Sequence, residues 1–424
     1  MPGRRRGSMG AVKNGSAADA AGAAVAAGAA VAAGDLVEVV AGDVAHGGWC
    51  VARHGELVVF VRHTLPGERV LARITQVTAK FARADAVEIR QSAPGRVRPP
   101  CPYAKPDGCG GCDWQHASLA VQRELKAQVL RQQLRRIAGL EVDVTVEELP
   151  GDHAGLGWRT REKFAVGKDG RAGLYKHRSH EIAHVSDCLI AHPLVTGAEV
   201  TRQVWPGART VDVAVAPASG KRAVMVSGGK PRPAPAFLTQ RAAGRDWRVA
   251  SAGFWQVHPG AADALVQAVL YGLEPAEGES ALDLFGGAGL FAGVLADAVG
   301  PSGSVIAVES DEAAAEDARH NLRGTPWAQV HLGDAAMVVA RLGMAGIDLA
   351  VLDPPRTGAE RKLIDLLSAG PRLRRVAYVS CDPATLARDL KVFGGHGWRL
   401  SGLRAFDAFP MTHHVEALAI LLPA

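Results

Sequence analysis

The sequence predicts an α/β protein: a doubly wound, Rossmann-like sheet over residues 251–424, preceded by an all-β, OB-like barrel over 35–93 and an α+β middle domain over 94–250. Three observations carry this reading. From about Ser251, apolar runs of strand length alternate with helical periods, as in ALDLF, LFAGVLADAV, SVIAVES, EAAAEDARHNL, IDLAVLD, ERKLIDLLS and RVAYVSC, the pattern of a parallel sheet with crossover helices. Residues 35–93 hold only short β-rich runs, LVEVV, LVVFV and RVLARITQV, broken by the turns HGGW and LPGE. Between them, strands such as REKFAVG and the VDVAVA to RAVMVS pair mix with loops and one long helix. The chain's 424 residues are ample for several cores.

Residues 1–34 begin MPGRRRGSMG and run on as Ala and Gly without the Leu, Ile or Phe of a signal peptide. They read as a disordered leader, with Met9 a second candidate start. No apolar run reaches the roughly 18 residues of a membrane span, so a cytoplasmic protein is expected. In the barrel segment Lys80, Arg83, Arg90, Arg96 and Arg98 cluster, which suits an RNA-binding face or a solvated charged edge. The net charge of +5 does not decide between them. After the Pro-rich linker SAPGRVRPP, residues Leu119, Val121, Leu125, Val129, Leu130 and Leu134 recur at the spacing of a long amphipathic helix. The following loops carry Trp158, Arg159, Arg161, Tyr175, His177, Arg178 and His180.

Within the alternating half, Asp283 ends a strand and opens a glycine turn through Phe285, Gly287 and Gly289, where backbone can approach a nucleotide-like ligand. The turn is not G-x-G-x-x-G and no P-loop lysine follows. A carboxylate at Asp283 suits a cationic amino group rather than a pyrophosphate. Glu309 ends the next strand, where an acid accepts from ribose hydroxyls, and Asp334 follows the strand QVHL, where an adenine amino group would lie. In this order the three acids resemble a class I S-adenosylmethionine methyltransferase.

Two further strands end in Asp353-Pro354-Pro355-Arg356 and Ser380-Cys381-Asp382-Pro383. A lone cysteine is by default structural, but Cys381 ends a strand beside the cofactor cleft, next to the DPPR loop. A polar run, Asp407, Pro410, Thr412, His413, His414 and Glu416, follows near the end of the chain. Carbon 5 of uracil is a poor nucleophile. A thiolate adding at carbon 6 makes an enolate that accepts a methyl group, and a base then removes the carbon 5 proton. Cys381 and Glu416 fit those roles.

At these residues the chain resembles the uracil-5 RNA methyltransferase family, through SCDPATLARDL, FPMTHHVE, DPPRTG and FWQVHP in order. The resemblance implies Cys381 as nucleophile and Glu416 as general base. It places Gln256 and Phe285 at the cofactor and Asp353 at the uracil edge or bordering the cofactor. DLFGG stands where DLYCG is commoner, and SCDP where SCNP is common. A cytosine-5 RNA methyltransferase would carry a second cysteine in its proline motif, which DPPRTG lacks. An RNA-binding or ribosome-assembly factor that kept the fold without activity has no need of both Cys381 and Glu416.

Of six cysteines, Cys101, Cys109 and Cys112 cluster in CPYAKPDGCGGCDWQH and Cys188 could join them. Chemistry alone allows structural zinc or an iron–sulfur cluster, with zinc the first reading. The CGGCxxQH signature is similar to the [4Fe-4S] site of the family's ribosomal RNA branch, although the Cys101 to Cys109 spacing is longer. Cys50 reads as a small core residue. LPGERV and KFARADAVEI, followed by Ser92, resemble a TRAM domain, which implies that the barrel's basic face binds RNA. The resemblance therefore implies a structured RNA substrate, flipped out at one uridine, with large-subunit ribosomal RNA favoured over transfer RNA. No obligate protein partner is expected.

Overall fold

The computed structural model describes residues 24–26 and 30–424; most of the leader read at 1–34 lies outside the described residues. Six strands, β1 (Leu36–Val40), β2 (Val44–Ala45), β3 (Trp49–His54), β4 (Leu57–Arg62), β5 (Arg69–Val77) and β6 (Phe81–Gln91), form the first sheet in the order β1-β5-β6-β4-β3-β2. The period of two is kept along β6: Ala82, Ala84 and Ala86 face the barrel core with Val59, Val61, Val70 and Ile74, leaving Phe81, Arg83 and Asp85 on the other face.

Helix α1 (Leu119–Gln133) starts at Ser118, whose side chain accepts from Val121 N. Its apolar stripe is where the periodicity puts it, and Leu125, Val129 and Leu130 are buried. The partner differs from the sequence reading. Leu130 and Leu134 join Val144, Val146, Leu386, Leu390 and Phe393 in the core beneath the catalytic sheet, and β7 (Val146–Glu147) adds to that sheet's edge. The boundary drawn at 94–250 therefore does not enclose one packing unit: periodicity shows that a helix has a buried face, not which neighbour covers it.

The middle unit is an antiparallel sheet of β8 (Arg161–Val166), β9 (Ala172–Tyr175), β10 (Ile182–Ala183), β11 (Ala208–Ala216) and β12 (Lys221–Gly228), ordered β10-β9-β8-β11-β12 and flanked by the short α2 (Pro193–Thr196). Phe164, Trp205, Val211, Val213 and Val215 fill its core. The hairpin of β13 (Phe237–Ala242) and β14 (Arg245–Ala250) bridges two units: Leu238 packs on Ala214, Ala216 and Ala223 of this sheet, while Trp247 is buried in the core of the next unit.

The catalytic half runs α3 (Ala261–Leu273), β15 (Ser280–Leu284), α4 (Leu290–Val299), β16 (Ser304–Glu309), α5 (Glu312–Leu322), β17 (Ala328–Leu332), α6 (Ala335–Leu342), β18 (Leu349–Leu352), α7 (Arg361–Ser368), β19 (Arg375–Ser380), α8 (Pro383–Gly395), β20 (Trp398–Phe406) and β21 (Glu416–Pro423). The strand order is β17-β16-β15-β18-β19-β21-β20-β7. Strands β15 to β19 are parallel as expected, but β21 runs antiparallel between β19 and β20. The sheet is thus mixed rather than wholly parallel. A short connection from β20 leaves only a hairpin return, not a crossover. Among the described residues no helix is long and apolar enough to cross a membrane.

Candidate active site

The strand order reverses between β15 and β18, so a crevice opens at their C-terminal ends. Asp283 lies at this point, fully buried. One carboxylate oxygen accepts from Ala292 N at 2.7 Å, while Oδ1 is buried without a hydrogen-bond partner. Burial, reinforced by Asp353 and Glu309, pushes this carboxyl up to about 7. The chain then turns sharply: Phe285 takes φ +65°, Gly287 +54° and Gly289 +86°. A Cβ on Gly287 would meet open space, and one on Gly289 would press on Ala318 at 3.3 Å. Only the second glycine is therefore required by packing; the first leaves the backbone open to the crevice.

Glu309 is held over the same turn. Its Oε2 accepts from Gly287 N at 2.8 Å, and its Oε1 from Ser310 N at 2.6 Å and Asp311 N at 2.7 Å. Asp334 is exposed and caps α6, accepting from Met337 N at 2.9 Å with one oxygen, which leaves the other for an exocyclic amino group. Gln256 is buried in the loop from β14 to α3, beside Trp255, which shares a core with Ala288 and Leu290 of the glycine turn.

The nucleophile candidate and the base candidate meet through the sheet register. Ser380 of β19 pairs with Ala417 of β21, so the next residues outward, Cys381 and Glu416, face each other. Burial and the Glu416 carboxyl push the Cys381 thiol up to about 11, with Asp353 adding to the rise; the positive charge of the nearby Arg356 guanidinium opposes it. Cys381 is therefore a half-buried thiol. Burial, and then Asp353, raise Glu416 well above the usual carboxylate range, against the pull of Arg356. Asp353 itself is pushed up to about 7 by burial. Three acids and a thiol thus share a dry cleft with one guanidinium, an arrangement that favours a cationic ligand and holds protons poised for transfer.

Arg356 was visible in DPPR but had no role assigned from sequence. Its place follows from the loop: its carbonyl accepts from Thr385 Oγ1 at 2.9 Å, and its Nη2 lies 3.4 Å from His414 Nε2. Asp382 caps α8, accepting from Thr385 N at 2.9 Å, and pairs with His46 of the barrel at 3.1 Å. That contact joins sequence positions too distant for any local pattern to reveal.

Cys101, Cys109, Cys112 and Cys188 line one cavity of about 250 Å³ with Gln115, Arg159 and Glu162. Gly110 allows the close turn there, since a Cβ would strike the backbone of His177 at 2.5 Å. Among the described residues no three Cys, His, Asp or Glu side chains gather closely enough for a single metal ion. Cys50 is buried in the barrel, its thiol 3.4 Å from Thr64 O.

The sheet, the reversal crevice and the unpartnered Asp283 oxygen beside a glycine turn define an S-adenosylmethionine-dependent methyltransferase. Residues 340–423 match the tRNA (Uracil-5-)-methyltransferase family, residues 32–87 the TRAM domain, and residues 260–343 protein-L-isoaspartate(D-aspartate) O-methyltransferase. An uncharacterized RNA methyltransferase of Streptomyces avermitilis is 48% identical over 91% of this chain and 98% of its own, and an uncharacterized RNA methyltransferase of Corynebacterium efficiens is 36% identical over 91% and 94%. The chain belongs to the uracil-5 RNA methyltransferase family and is an RNA (uracil-5-)-methyltransferase. Among solved structures, the Pyrococcus abyssi tRNA (uracil-54, C5)-methyltransferase in complex with S-adenosyl-L-homocysteine shares the fold, at 23% identity and a TM-score of 0.70, over 91% of this chain and 100% of that one.

Proposed function

We propose that the protein methylates carbon 5 of a uridine in large-subunit ribosomal RNA in the cytoplasm, with Cys381 as nucleophile and Glu416 as general base. The observation that carries this reading is the β19–β21 register, which sets the two residues opposite each other at the mouth of the cofactor crevice. Asp283 would hold the amino group of S-adenosylmethionine, Glu309 its ribose and Asp334 its adenine, with Phe285, Gly287, Gly289 and Gln256 lining the pocket. When bound, that cofactor supplies the methyl group and brings positive charge beside Asp283 and Asp353.

The rest falls to the chain's own residues. Cys381 gives up its proton to solvent and, as thiolate, bonds to carbon 6 of a uridine flipped into the cleft. Arg356 stabilises the sulfur's negative charge before the bond forms. Asp353 fixes the uracil edge. After transfer, Glu416 takes the carbon 5 proton and the C–S bond breaks with its electron pair on sulfur, returning the Cys381 thiolate. Cys101, Cys109, Cys112 and Cys188, which line one cavity, would hold a [4Fe-4S] cluster.

Cys381→Ala is expected to leave no 5-methyluridine, and Glu416→Gln to accumulate a covalent protein–RNA adduct that survives denaturing electrophoresis. Full turnover by either variant overturns the mechanism. Loss of 5-methyluridine confined to transfer RNA in a deletion strain overturns the choice of ribosomal RNA.

A further inference from the structure

Asp113, the residue after Cys112, is buried and has no part in the chemistry above. Its Oδ2 accepts from His413 Nδ1 at 2.6 Å and from His413 N at 3.2 Å, and Arg62 of the barrel lies 3.7 Å from the other oxygen. The backbone ties the same two segments: Asp113 N and Trp114 N both donate to Met411 O at 3.0 Å. Met411 is held at φ +68°, a strained conformation for a residue with a Cβ, and its N–H donates to Gln122 Oε1 at 2.7 Å. Gly48 of the barrel closes the other side, where a Cβ would meet that of His413 at 2.8 Å.

From His413 the contacts lead to the nucleophile. The His413 and His414 ring centroids are 4.1 Å apart, and His414 Nε2 faces Arg356 Nη2 at 3.4 Å. A guanidinium only donates, so His414 presents a lone pair at Nε2 and is neutral. Burial, with His413 and Arg356 adding, pushes its pKa down to about 3, which agrees. Arg356 in turn faces the Cys381 thiol and works against the two acids beside it, lowering the pKa that Glu416 and Asp353 raise.

We propose that Asp113 and His413 are positioning residues for methyl transfer: the Asp113 carboxylate clamps His413, and His413 through His414 holds Arg356 against Cys381. The inference rests on the reading of Cys381 as nucleophile. It makes the cysteine-rich loop and the barrel part of the scaffold that sets the thiol's reactivity, through contacts rather than through any chemistry at the loop.

The test uses the full-length holoprotein and compares His413→Ala, Arg356→Gln and the double variant. Alkylation of Cys381 by iodoacetamide is followed against pH by mass spectrometry, without RNA. The groups facing this sulfur are Glu416, Asp353 and Arg356, so loss of the guanidinium's hold leaves two acids and moves the alkylation curve to higher pH. His413→Ala is expected to slow alkylation about tenfold at fixed pH, to slow adduct formation with 5-fluorouridine RNA equally, and to leave the RNA KM and the iron and sulfide content unchanged. The double variant should be no slower than Arg356→Gln alone.

Alkylation at the wild-type rate in His413→Ala overturns the proposal, as do effects of the two single variants that multiply. If His413→Ala fails to fold, His413→Leu fills the space without a donor and His413→Gln restores one. Equal alkylation in those two also overturns it. Because alkylation needs no RNA, a wild-type protein that makes no 5-methyluridine refutes the proposed function without touching this result.

Discussion

Asp283 and Asp353 are carboxyls kept where a carboxylate is poorly solvated, each pushed up to about 7 from about 3.9 in an unfolded chain. The folded protein therefore binds these protons more tightly than the unfolded chain does. The stability this adds is complete below about pH 4 and is lost as pH rises through about 7, on the order of 2–4 kcal/mol for one such group. Cofactor-free protein should lose thermal stability between pH 5 and pH 8. Asp283→Asn keeps an oxygen for Ala292 N but cannot ionise, so it should flatten that profile, raise Tm at pH 8 by a few degrees, and abolish S-adenosylmethionine binding in calorimetry. A profile as steep as the wild type's would rule out Asp283 as its source. The acid at this position was legible because it follows a strand and precedes glycines. Its raised pKa was not, because that depends on Asp353 and Glu309 arriving from two other strands.

At the scale of the element, glycine inside a helix normally costs about 1 kcal/mol relative to alanine. Gly293, in the middle of α4, is an exception with a visible cause. A Cβ there would lie 2.5 Å from Cη2 of the fully buried Trp247 and 3.3 Å from Arg245 Nη1, so the β13–β14 hairpin needs the missing side chain in order to dock. Gly293→Ala should therefore destabilise by about 1–3 kcal/mol, read as a lower urea midpoint; a gain in stability would show that the hairpin packs loosely. Most elements could be read in advance: α5 begins at Glu312 and ends at Leu322, matching the run EAAAEDARHNL, and the core face of α1 followed from its period. What could not be read was pairing. Nothing in EALAILLP says that it enters antiparallel beside β19, yet that register is what turns Cys381 and Glu416 from two motifs into one site. The cysteines show the same limit: Cys188 could be set beside the other three from the sequence, but the side chains of β9 and its following loop, which line the same cavity, could not.

Over the whole molecule the net charge of +5 is small, so what matters for RNA is where the cations converge. Three guanidiniums from two units surround the buried Trp49: Arg62 at 5.9 Å and Arg83 at 5.7 Å from the barrel, and Arg178 at 5.6 Å from the middle unit, with His177 edge-on at 5.4 Å. Arg83 also covers Phe81, which meets Phe60 edge to face at 5.5 Å. Arg62 is committed to Asp113, whereas Arg83 is half-buried and Arg178 exposed, and the two repel each other, which helps to lower Arg83's pKa after burial. Such a seam of cations interleaved with aromatic rings suits a phosphate backbone crossing from barrel to middle unit. The sequence grouped Arg83 with Lys80, Arg90, Arg96 and Arg98, but not with His177 and Arg178 of the middle unit, which meet it only in the fold, around Trp49. Reversing Arg83 and Arg178 to Glu should raise the RNA KM at least tenfold and lower the slope of log KM against log salt by about 1–2. It should leave kcat and the rate of Cys381 alkylation unchanged, because neither residue reaches the cleft contacts. An unchanged KM and slope would move the RNA path off this seam and leave the barrel's role to be sought on its other face.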